Sequence, residues 1–440
     1  MSMSAPLSGV RVLEMGHIVA GPTAGMILER LGAAVIKVEP PGRGDQARAM
    51  PPAGSGMFPY LNANKQSLAL NIKDLRGLDV LYRLVPSVDV VVTNYANGVA
   101  ERLGVDFERL HKLNSRLVYA HIGGFLPGPY HGRPALDEVV QMMSGLAYMT
   151  GPEGRPLRAG APVIDMTASC FAVIGILCAL MTARATGEGQ FIEAALYESS
   201  LFYMGQQIAT YELTKEPSLP FPERGVGGRN GWGVYDIFHT KDGRKLFLAI
   251  TSDKHWHSFC TAFGLADLLH DPAYRSNAGR VAMRDVLIPR LQALLGEINY
   301  DDLVHSLLQH AIPFAPVRSP EEVVSDPDTT VNFRIVQYGD AVLTVPELPL
   351  AAPWTMRRNE AGSPSGANQP AADRPAGADR VPALGQHSVE ILRGIGLADE
   401  EIQALAEAGV VVMTPCDGQS GRISSTTDGN DEMNGMEGGF

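Results

Sequence analysis

The chain has 440 residues, of which 45% are hydrophobic and 19% are charged, and its formal net charge at pH 7 is −12. This length exceeds a single hydrophobic core and predicts two domains. The acidic balance argues against nucleic-acid and anionic-membrane partners, because both select a basic surface. Four cysteines without a CxxC pair, and no recognisable signal peptide, predict a reduced cytoplasmic protein without a bound metal.

Apolar strands alternate with helical segments through residues 1–213. VRVLEMG predicts a first buried strand, and the next four are predicted by AAVIKVEPP, SLALNIKD, VDVVVTNY and RLVYAHIGG. AGMILERLG and LRGLDVLYRLV predict helices between strands. Continuous apolar strands separated by helices are typical of a mostly parallel sheet covered on both faces. The sequence therefore predicts an α/β fold whose large, Rossmann-like domain begins in residues 1–213.

The second half of the chain has a different composition. Residues 214–231 are a Gly/Pro-rich linker, and residues 232–320 predict a smaller α+β domain that opens with a hairpin turning at an Asp-Gly pair. Residues 321–413 contain an Ala/Pro/Gly-rich linker and two helical segments. Residues 414–440 are rich in Gly, Ser, Asp and Asn, which predicts a disordered tail.

The turn after the first strand, GHIVAGP, is a candidate ligand site. It lacks the GxGxxG spacing of dinucleotide sites and the GK[ST] of a P-loop, so NAD binding is not expected. His17 lies at the carboxyl end of the first strand, where doubly wound sheets bind ligands. A ligand contact is therefore favoured over a core histidine or a catalytic base.

Asp165 stands directly before an uncharged apolar segment, in RAGAPVIDMTASC. One interpretation is a helix N-cap, because aspartate accepts hydrogen bonds from the free N–H groups of a helix start. The other is a carboxylate nucleophile that the same helix end keeps ionised. The segment that follows, 166–183, approaches the length of a membrane span, but its small residues and lack of interfacial anchors predict a buried core helix.

A series of segments, in order along the chain, resembles CoA-transferase family III, which includes formyl-CoA:oxalate CoA-transferase, carnitine CoA-transferase and α-methylacyl-CoA racemase. These segments are LSGVRVLEMGHIVAGPTAGMILERLGAAVIKVEPPGRGD, NANKQSLALNIKD, NYANGVAERLGVD, GRPALDEVVQMMSGLAYMTG, GAPVIDM, AIPFAPVRSPEEVVSDP and PALGQHSVEILRGIGLADEEI. The resemblance implies a homodimer of interlocked chains, with a large domain, a small domain and a C-terminal segment that returns to complete the large one. It also implies that coenzyme A is a substrate and that no further cofactor is needed.

The resemblance implies roles for particular residues. Asp165 takes the family's nucleophile position, and Asp137 takes that of a supporting acid beside it. Gly227 and Gly228 fall in the region where the family has a mobile glycine-rich loop over the intermediates. Cations for the CoA phosphates are expected among Lys37, Arg43, Arg48, Arg102 and Arg133, and further CoA contacts at Val19, Ala20, Asn94 and Tyr95.

Two other functions remain open at this point. The family's racemases carry a histidine immediately before the acid at position 137, whereas this chain has Leu136, which cannot move a proton. A catalytically silent CoA-binding protein would have no need of Asp165. The sequence therefore favours CoA transfer. The acids themselves cannot be read from the residues, and succinyl-CoA as donor with a dicarboxylic acceptor is what the resemblance implies. Val19 replaces the glutamine of the formyl-CoA enzyme, which argues against a formyl/oxalate pair.

Overall fold

The computed structural model of this protein describes residues 5–220, 231–352 and 378–414. The chain divides into two compact units. Unit 1 comprises Met1–Leu146, Ala159–Gly205 and Pro327–Phe440, and unit 2 comprises Ala147–Arg158 and Gln206–Asp326.

A seven-stranded sheet organises unit 1. Its strands are β1 (Arg11–Glu14), β2 (Ala34–Glu39), β3 (Gln66–Leu70), β4 (Val90–Thr93), β5 (Val118–Gly123), β6 (Phe191–Ala195) and β13 (Val411–Val412). They lie in the order β13-β3-β2-β1-β4-β5-β6, and every pair is parallel except β13 with β3. The five predicted strands and the mixed α/β class are confirmed, whereas β6 and β13 were not predicted.

Helices cover both faces of this sheet. The helices of unit 1 in this part of the chain are α1 (Ala20–Arg30), α2 (Met57–Asn62), α3 (Leu75–Leu84), α4 (Val99–Leu103), α5 (Phe107–Leu113), α6 (Asp137–Ser144) and α8 (Val163–Thr186). Helix α7 (Leu146–Thr150) belongs to unit 2 except for its first residue, and α9 (Leu196–Thr214) begins in unit 1 and ends in unit 2. Successive residues of a strand point to opposite faces, so Val12 joins one apolar core and Leu13 the other. The core around Val12 includes α1 and α8, and the core around Leu13 includes α3.

The C-terminal segment belongs to the same unit. A second, three-stranded sheet of unit 1 has the order β11-β10-β12. Its strands are β10 (Phe333–Tyr338), β11 (Ala341–Pro346) and β12 (Asp379–Arg380), and the helices of this segment are α16 (Pro327–Thr330), α17 (Ser388–Gly394) and α18 (Asp399–Glu407). Buried ion pairs from Arg30 of α1 to Asp379 (2.9 Å) and to Glu347 connect this segment to the N-terminal part of the chain.

Helix α8 is the one helix of the described ranges that is long and apolar enough to cross a membrane, judged by length and composition alone. Its buried side chains, which include Ile164, Ala172 and Ile176, belong to the apolar core of unit 1. Ser169 Oγ donates to the carbonyl oxygen of Ala20 (2.7 Å), which fixes the first turns of α8 against the start of α1.

Unit 2 has its own sheet and its own core. Its strands β7 (Val234–His239) and β8 (Lys245–Ile250) form the predicted antiparallel hairpin, to which β9 (Phe314–Pro316) adds. Its helices are α10 (Asp253–Ala262), α11 (Ala266–His270), α12 (Asn277–Ala282), α13 (Arg284–Leu295), α14 (Tyr300–Gln309) and α15 (Pro320–Val324). Trp256, Phe259 and Leu291 are among the side chains buried on the hairpin.

Candidate active site

The candidate site begins where the strand order of the large sheet reverses. β1 has β2 on one side and β4 on the other, so the chain segments that leave β1 and β4 lie next to each other. Crevices at such reversals are where open α/β sheets bind ligands. His17 follows β1 and Asn94 follows β4, which brings two of the predicted site residues together.

A reciprocal pair of hydrogen bonds joins these two segments. The His17 backbone N–H donates to Asn94 Oδ1 (2.9 Å), and Asn94 Nδ2 donates to the His17 carbonyl oxygen (3.0 Å). The His17 ring stacks on Tyr95 with ring centroids 6.2 Å apart. Burial lowers the pKa of His17, although Asp45 opposes that shift, and burial raises the pKa of Tyr95 to about 12. Asn94 therefore acts through the backbone of the His17 turn.

The turn itself has an unfavourable backbone conformation. Ile18 has φ +61°, a region that β-branched residues rarely adopt. Its N–H donates to both carboxylate oxygens of Asp45, at 3.1 and 3.3 Å. Val19 and Ala20 follow and open helix α1, whose start has no side-chain cap. The N–H groups at a helix start have no intrahelical partner and favour anions.

A buried cluster of charges lies beneath this turn. Lys37 Nζ contacts Glu14 Oε1 (2.9 Å), Asp45 Oδ2 (2.8 Å) and the Gly16 carbonyl oxygen (2.9 Å), and its side chain is fully buried. Lys65 Nζ binds the other oxygen of Glu14 at 2.6 Å. Burial disfavours the charge of Lys37, but Glu14 and Asp45 outweigh it and raise its pKa. The expectation that Lys37 contacts a CoA phosphate is therefore wrong, because its ammonium group is enclosed within the protein.

Arg48 is also engaged inside the protein. Its guanidinium donates to both oxygens of Glu39 (2.7 and 2.8 Å) and lies 3.9 Å from the centroid of the Phe58 ring. Glu39 in turn accepts from Ser67 Oγ (2.7 Å) and from the Asp45 N–H (3.0 Å). A bidentate pair of this kind orients both partners. A CoA contact by Arg48 stays a prediction.

A cleft of about 510 Å³ opens at this edge of the sheet. Its lining residues that end or follow strands include His17, Glu39, Asp45, Leu70, Lys73 and Tyr95. Lys73 is exposed, and Arg102, on the neighbouring helix α4, is also exposed. These two side chains are cations at or near the cleft that solvent can reach. Arg133 lies elsewhere, in the loop before α6, with its guanidinium 5.0 Å from the Tyr130 ring centroid.

Asp165 lies in the first turn of α8, as the third residue of the helix. The N-cap position belongs to Pro162, so the interpretation of Asp165 as an N-cap is wrong. The capping group comes from another helix: Asp137 Oδ2 accepts from the N–H groups of Ile164 (2.7 Å) and Asp165 (3.1 Å). Asp137 therefore satisfies the helix start, as an N-cap side chain normally does, and leaves the Asp165 carboxylate for another role.

The environment of Asp165 disfavours its negative charge. Burial first, then the nearby carboxylates of Asp137 and Glu138, raise the pKa of Asp165 to about 7. No side chain of the described ranges donates a hydrogen bond to this carboxylate. The expectation that the helix end keeps Asp165 fully ionised at pH 7 is therefore wrong, because desolvation and two acids outweigh the helix dipole.

Two further contacts define the surroundings of Asp165. Ser169 Oγ donates to the Asp165 carbonyl oxygen and to that of Ala20, both at 2.7 Å, which couples the Asp165 turn to the start of α1. Gln141 donates to Asp137 and receives a hydrogen bond from the Ala159 N–H (2.9 Å). Gln141 thereby fixes the orientation of the capping carboxylate.

Two predicted glycines, Gly227 and Gly228, lie outside the described residues. Among the residues that are described, no group of three or more His, Cys, Asp or Glu side chains is arranged to hold a metal ion. Leu136 is exposed directly before α6.

Comparison with known proteins decides the family. The pattern of CoA-transferase family III matches residues 7–373. The chain belongs to CoA-transferase family III. It is 32% identical to a formyl-CoA:oxalate CoA-transferase of Streptomyces avermitilis over 93% of this chain and 100% of that protein. It is 32% identical to a succinyl-CoA:glutarate CoA-transferase of Mus musculus, over 92% and 90% of the two chains.

The fold agrees with that membership. The crystal structure of a CaiB/BaiF family protein from Brucella suis superposes with a TM-score of 0.74 at 27% identity, covering 89% of this chain and 100% of that one. The protein is thus a family III CoA-transferase, an enzyme of the 2.8.3 type. Its substrates are an acyl-CoA and a carboxylate as a class.

Some residues of the site were missed from the sequence. Asp45 and Lys73 both stand in segments that resemble the family, but neither was given a role. Their positions in the sequence could have indicated a role. Lys73 closely follows β3 and Asp45 follows β2, so both lie at the same edge of the sheet as His17. Carboxyl ends of adjacent parallel strands meet at one edge. Applying this rule to every predicted strand would have found both residues.

Proposed function

We propose that this protein moves CoA from an acyl-CoA donor to a free carboxylic acid through covalent intermediates on Asp165. The Asp165 carboxylate attacks the thioester carbonyl, the C–S bond breaks, and a mixed anhydride and CoA thiolate form. The thiolate then attacks the aspartyl carbonyl and releases the donor as its carboxylate. The resulting aspartyl-CoA thioester passes its CoA to the acceptor acid by the same two steps in reverse, so no net hydrolysis occurs.

The observation that carries this proposal is the state of the Asp165 carboxylate. It is partly buried, its pKa is raised to about 7, and it has no hydrogen-bond donor among the described side chains. A partly desolvated carboxylate that no protein side chain stabilises is a stronger nucleophile than a fully solvated one. Carboxyl groups with strongly raised pKa values concentrate at catalytic sites. Asp137 supports the reaction by capping α8 and by raising the pKa of Asp165.

CoA is proposed to bind at the cleft beside His17 and Tyr95. The exposed Lys73 lines this cleft, and the exposed Arg102 lies between two residues of α4 that also line it, so both supply positive charge for the phosphates. The start of α1, at Val19 and Ala20, follows His17 directly along the chain, and its N–H groups favour an anion. The Ser169 bridge joins Ala20 to the Asp165 turn, which supports a path from the cleft to the nucleophile.

Succinyl-CoA is the proposed donor, with a dicarboxylic acid as acceptor. Relatives at 30–32% identity are named succinyl-CoA:glutarate CoA-transferases. Val19 also lacks the amide that the formyl-CoA enzyme has at this position, which weighs against formyl-CoA.

A screen of donor and acceptor pairs tests the proposed function. Succinyl-, acetyl- and formyl-CoA are each incubated with succinate, glutarate and oxalate, and the CoA esters are separated by HPLC. We expect the new ester to appear in the same amount as the donor ester disappears, fastest with succinyl-CoA. CoA transfer would be contradicted if the donor ester were only hydrolysed to free CoA, or if no donor ester were consumed with any pair.

We also propose that the protein is a homodimer. Large apolar side chains of unit 1 are strongly exposed on the monomer: Leu136 (65%), Ile174 (55%), Met181 (71%) and Phe202 (68%). Large apolar side chains left this exposed, when they cluster, are typical of surfaces that a partner covers. Light scattering coupled to size exclusion is expected to give twice the mass of one chain. A monomer at micromolar concentration would contradict the proposal.

A further inference from the structure

The turn that carries His17 is held by a residue to which nothing above assigns a role in substrate binding. Ile18 has φ +61°, and an isolated β-branched residue would leave this conformation. Such strain persists only when surrounding contacts over-determine the backbone. The backbone conformation of Ile18 therefore depends on the contacts that hold it.

Asp45 supplies these contacts with both oxygens. Oδ1 accepts from Ile18 N (3.1 Å) and from Ala47 N (2.9 Å), while Oδ2 accepts from Ile18 N (3.3 Å) and contacts Lys37 Nζ (2.8 Å). The residue is 4% exposed although it lines the cleft. Each oxygen is thus committed to the turn and to a neighbour.

The position of Asp45 is itself fixed. Its N–H donates to Glu39 Oε2 (3.0 Å), and Glu39 is clamped by Arg48. Gly44 precedes it with φ +67°, and a Cβ there would lie 2.9 Å from Glu39 Oε2. Lys37 is held on its other side by Glu14. Asp45, which binds the Ile18 N–H, is thus connected to Glu39 and Lys37 of β2 and, through Lys37, to Glu14 of β1.

We propose that Asp45 is a positioning residue for CoA: it holds the strained Ile18 turn and so fixes His17 where it lines the cleft. This inference rests on the proposed CoA site. The contacts of the Asp45 side chain and N–H are with Ile18, Glu39, Ala47 and Lys37, and none of them involves the proposed nucleophile Asp165. Loss of Asp45 should therefore weaken the binding of CoA esters much more than it slows the chemical step.

The Asp45 carboxylate accepts from the Ile18 N–H and also contacts the Lys37 ammonium, and asparagine at this position cannot do both. An amide has one accepting oxygen and one donating NH₂ group. If the amide oxygen accepts from the Ile18 N–H, the NH₂ group faces the Lys37 ammonium, which is also a donor. If the oxygen accepts from Lys37, the NH₂ group faces the Ile18 N–H. In either orientation one of the two hydrogen bonds is lost. Asp45→Asn is therefore expected to raise the KM for acyl-CoA about tenfold while kcat changes less than about threefold.

Asp379→Asn is the matched control. Asp379 is a partly buried carboxylate, paired with the buried Arg30 (2.9 Å) and Arg334 (2.8 Å), and none of these residues is in the turn. It should lower the melting temperature without raising the KM. Equal KM values for Asp45→Asn and wild type, or equal KM increases in the two variants, would overturn the proposal.

Ile18→Gly tests the strain directly, because glycine adopts positive φ without cost. In the Ile18→Gly background, Asp45→Asn should raise the KM by less than about threefold, a non-additive result. The same tenfold increase in both backgrounds would overturn the proposal. If Asp45→Asn folds only together with Ile18→Gly, the strain is confirmed as its target, and failure to fold in both backgrounds would contradict it.

The dissociation constant of free coenzyme A, measured by calorimetry, separates this inference from the proposed function. A wild-type chain that binds CoA but transfers none would refute CoA transfer, and the comparison of Asp45→Asn with Asp379→Asn would then be read in dissociation constants. Wild-type protein that binds no CoA would refute both.

Discussion

Replacement of Asp165 by asparagine is expected to abolish CoA transfer and to raise the melting temperature at pH 8. The amide cannot form the anhydride, so kcat should fall more than about 10³-fold. The fold should gain stability, because Asp165→Asn removes a partly buried charge that faces Asp137 and Glu138. Turnover by HPLC and thermal unfolding of the same preparation measure both effects.

Asp74→Asn is the control for this substitution. Asp74 is an acid at another helix start of unit 1, where it caps α3 by accepting from Arg76 N. That variant should retain wild-type turnover and should gain no stability, because Asp74 is already stabilised by the N–H and guanidinium of Arg76. An Asp165→Asn chain that keeps a substantial fraction of wild-type turnover would exclude the covalent route. A chain that loses turnover by misfolding would instead indicate a structural role for Asp165.

The rate of CoA transfer is expected to rise with pH through about 7. Only the ionised carboxylate attacks the thioester, and burial with Asp137 and Glu138 raises the pKa of Asp165 to about 7. Below that value the ionised fraction falls about tenfold per pH unit, so kcat/KM at pH 5 should be about 100-fold below its plateau. The pH–rate profile of kcat/KM measures the free enzyme.

Glu138→Gln provides the matched variant for the profile. It removes one of the two charges that raise the pKa of Asp165 but keeps the nucleophile and the Asp137 cap. The half-maximal pH should therefore move to a lower value. A profile that is flat between pH 5 and 8, or one that Glu138→Gln moves upward, would contradict the role of Asp165.

The contribution of Asp165 to the free energy of unfolding should fall as pH rises, whereas the rate of CoA transfer should increase. The pKa of Asp165 is higher in the native state than the 3.8 of a free aspartate, so the folded chain holds a proton that the unfolded chain releases. Its contribution to the free energy of unfolding is present below about pH 4 and is lost as pH rises to about 7. The stability difference between wild type and Asp165→Asn should thus grow over this range, to at most about 4 kcal/mol.

Elements with a strong local pattern were predictable from the sequence. The strands β1 to β5 are continuous apolar runs between helices, and the unit 2 hairpin has an Asp-Gly turn. β13 has only two residues, and its pairing with β3 joins positions about 340 residues apart, which no local pattern records. β6 carries a polar Glu193 that faces a cleft, which interrupts the apolar run expected of a buried strand.

The candidate site divides in a similar way. His17 was predicted because it follows a recognisable strand, whereas Asp165 and Asn94 were assigned their roles through the family resemblance. The capping of α8 by Asp137 was not predicted, because the donor and the acceptor lie 27 and 28 positions apart. The burial of Lys37 was also missed, since a lysine in a strand normally reaches solvent, and only the fold brings Glu14 and Asp45 around it.

The covalent intermediate on Asp165 is the central claim, and chemical trapping tests it most directly. The enzyme is incubated with succinyl-CoA alone and then with hydroxylamine, which attacks the aspartyl carbonyl of the thioester and releases CoA. Peptide mass spectrometry should find the hydroxamate on the peptide that contains Asp165 and no label on the peptide of Asp137. Turnover without any label at Asp165, or label at Asp137 instead, would contradict the proposed mechanism.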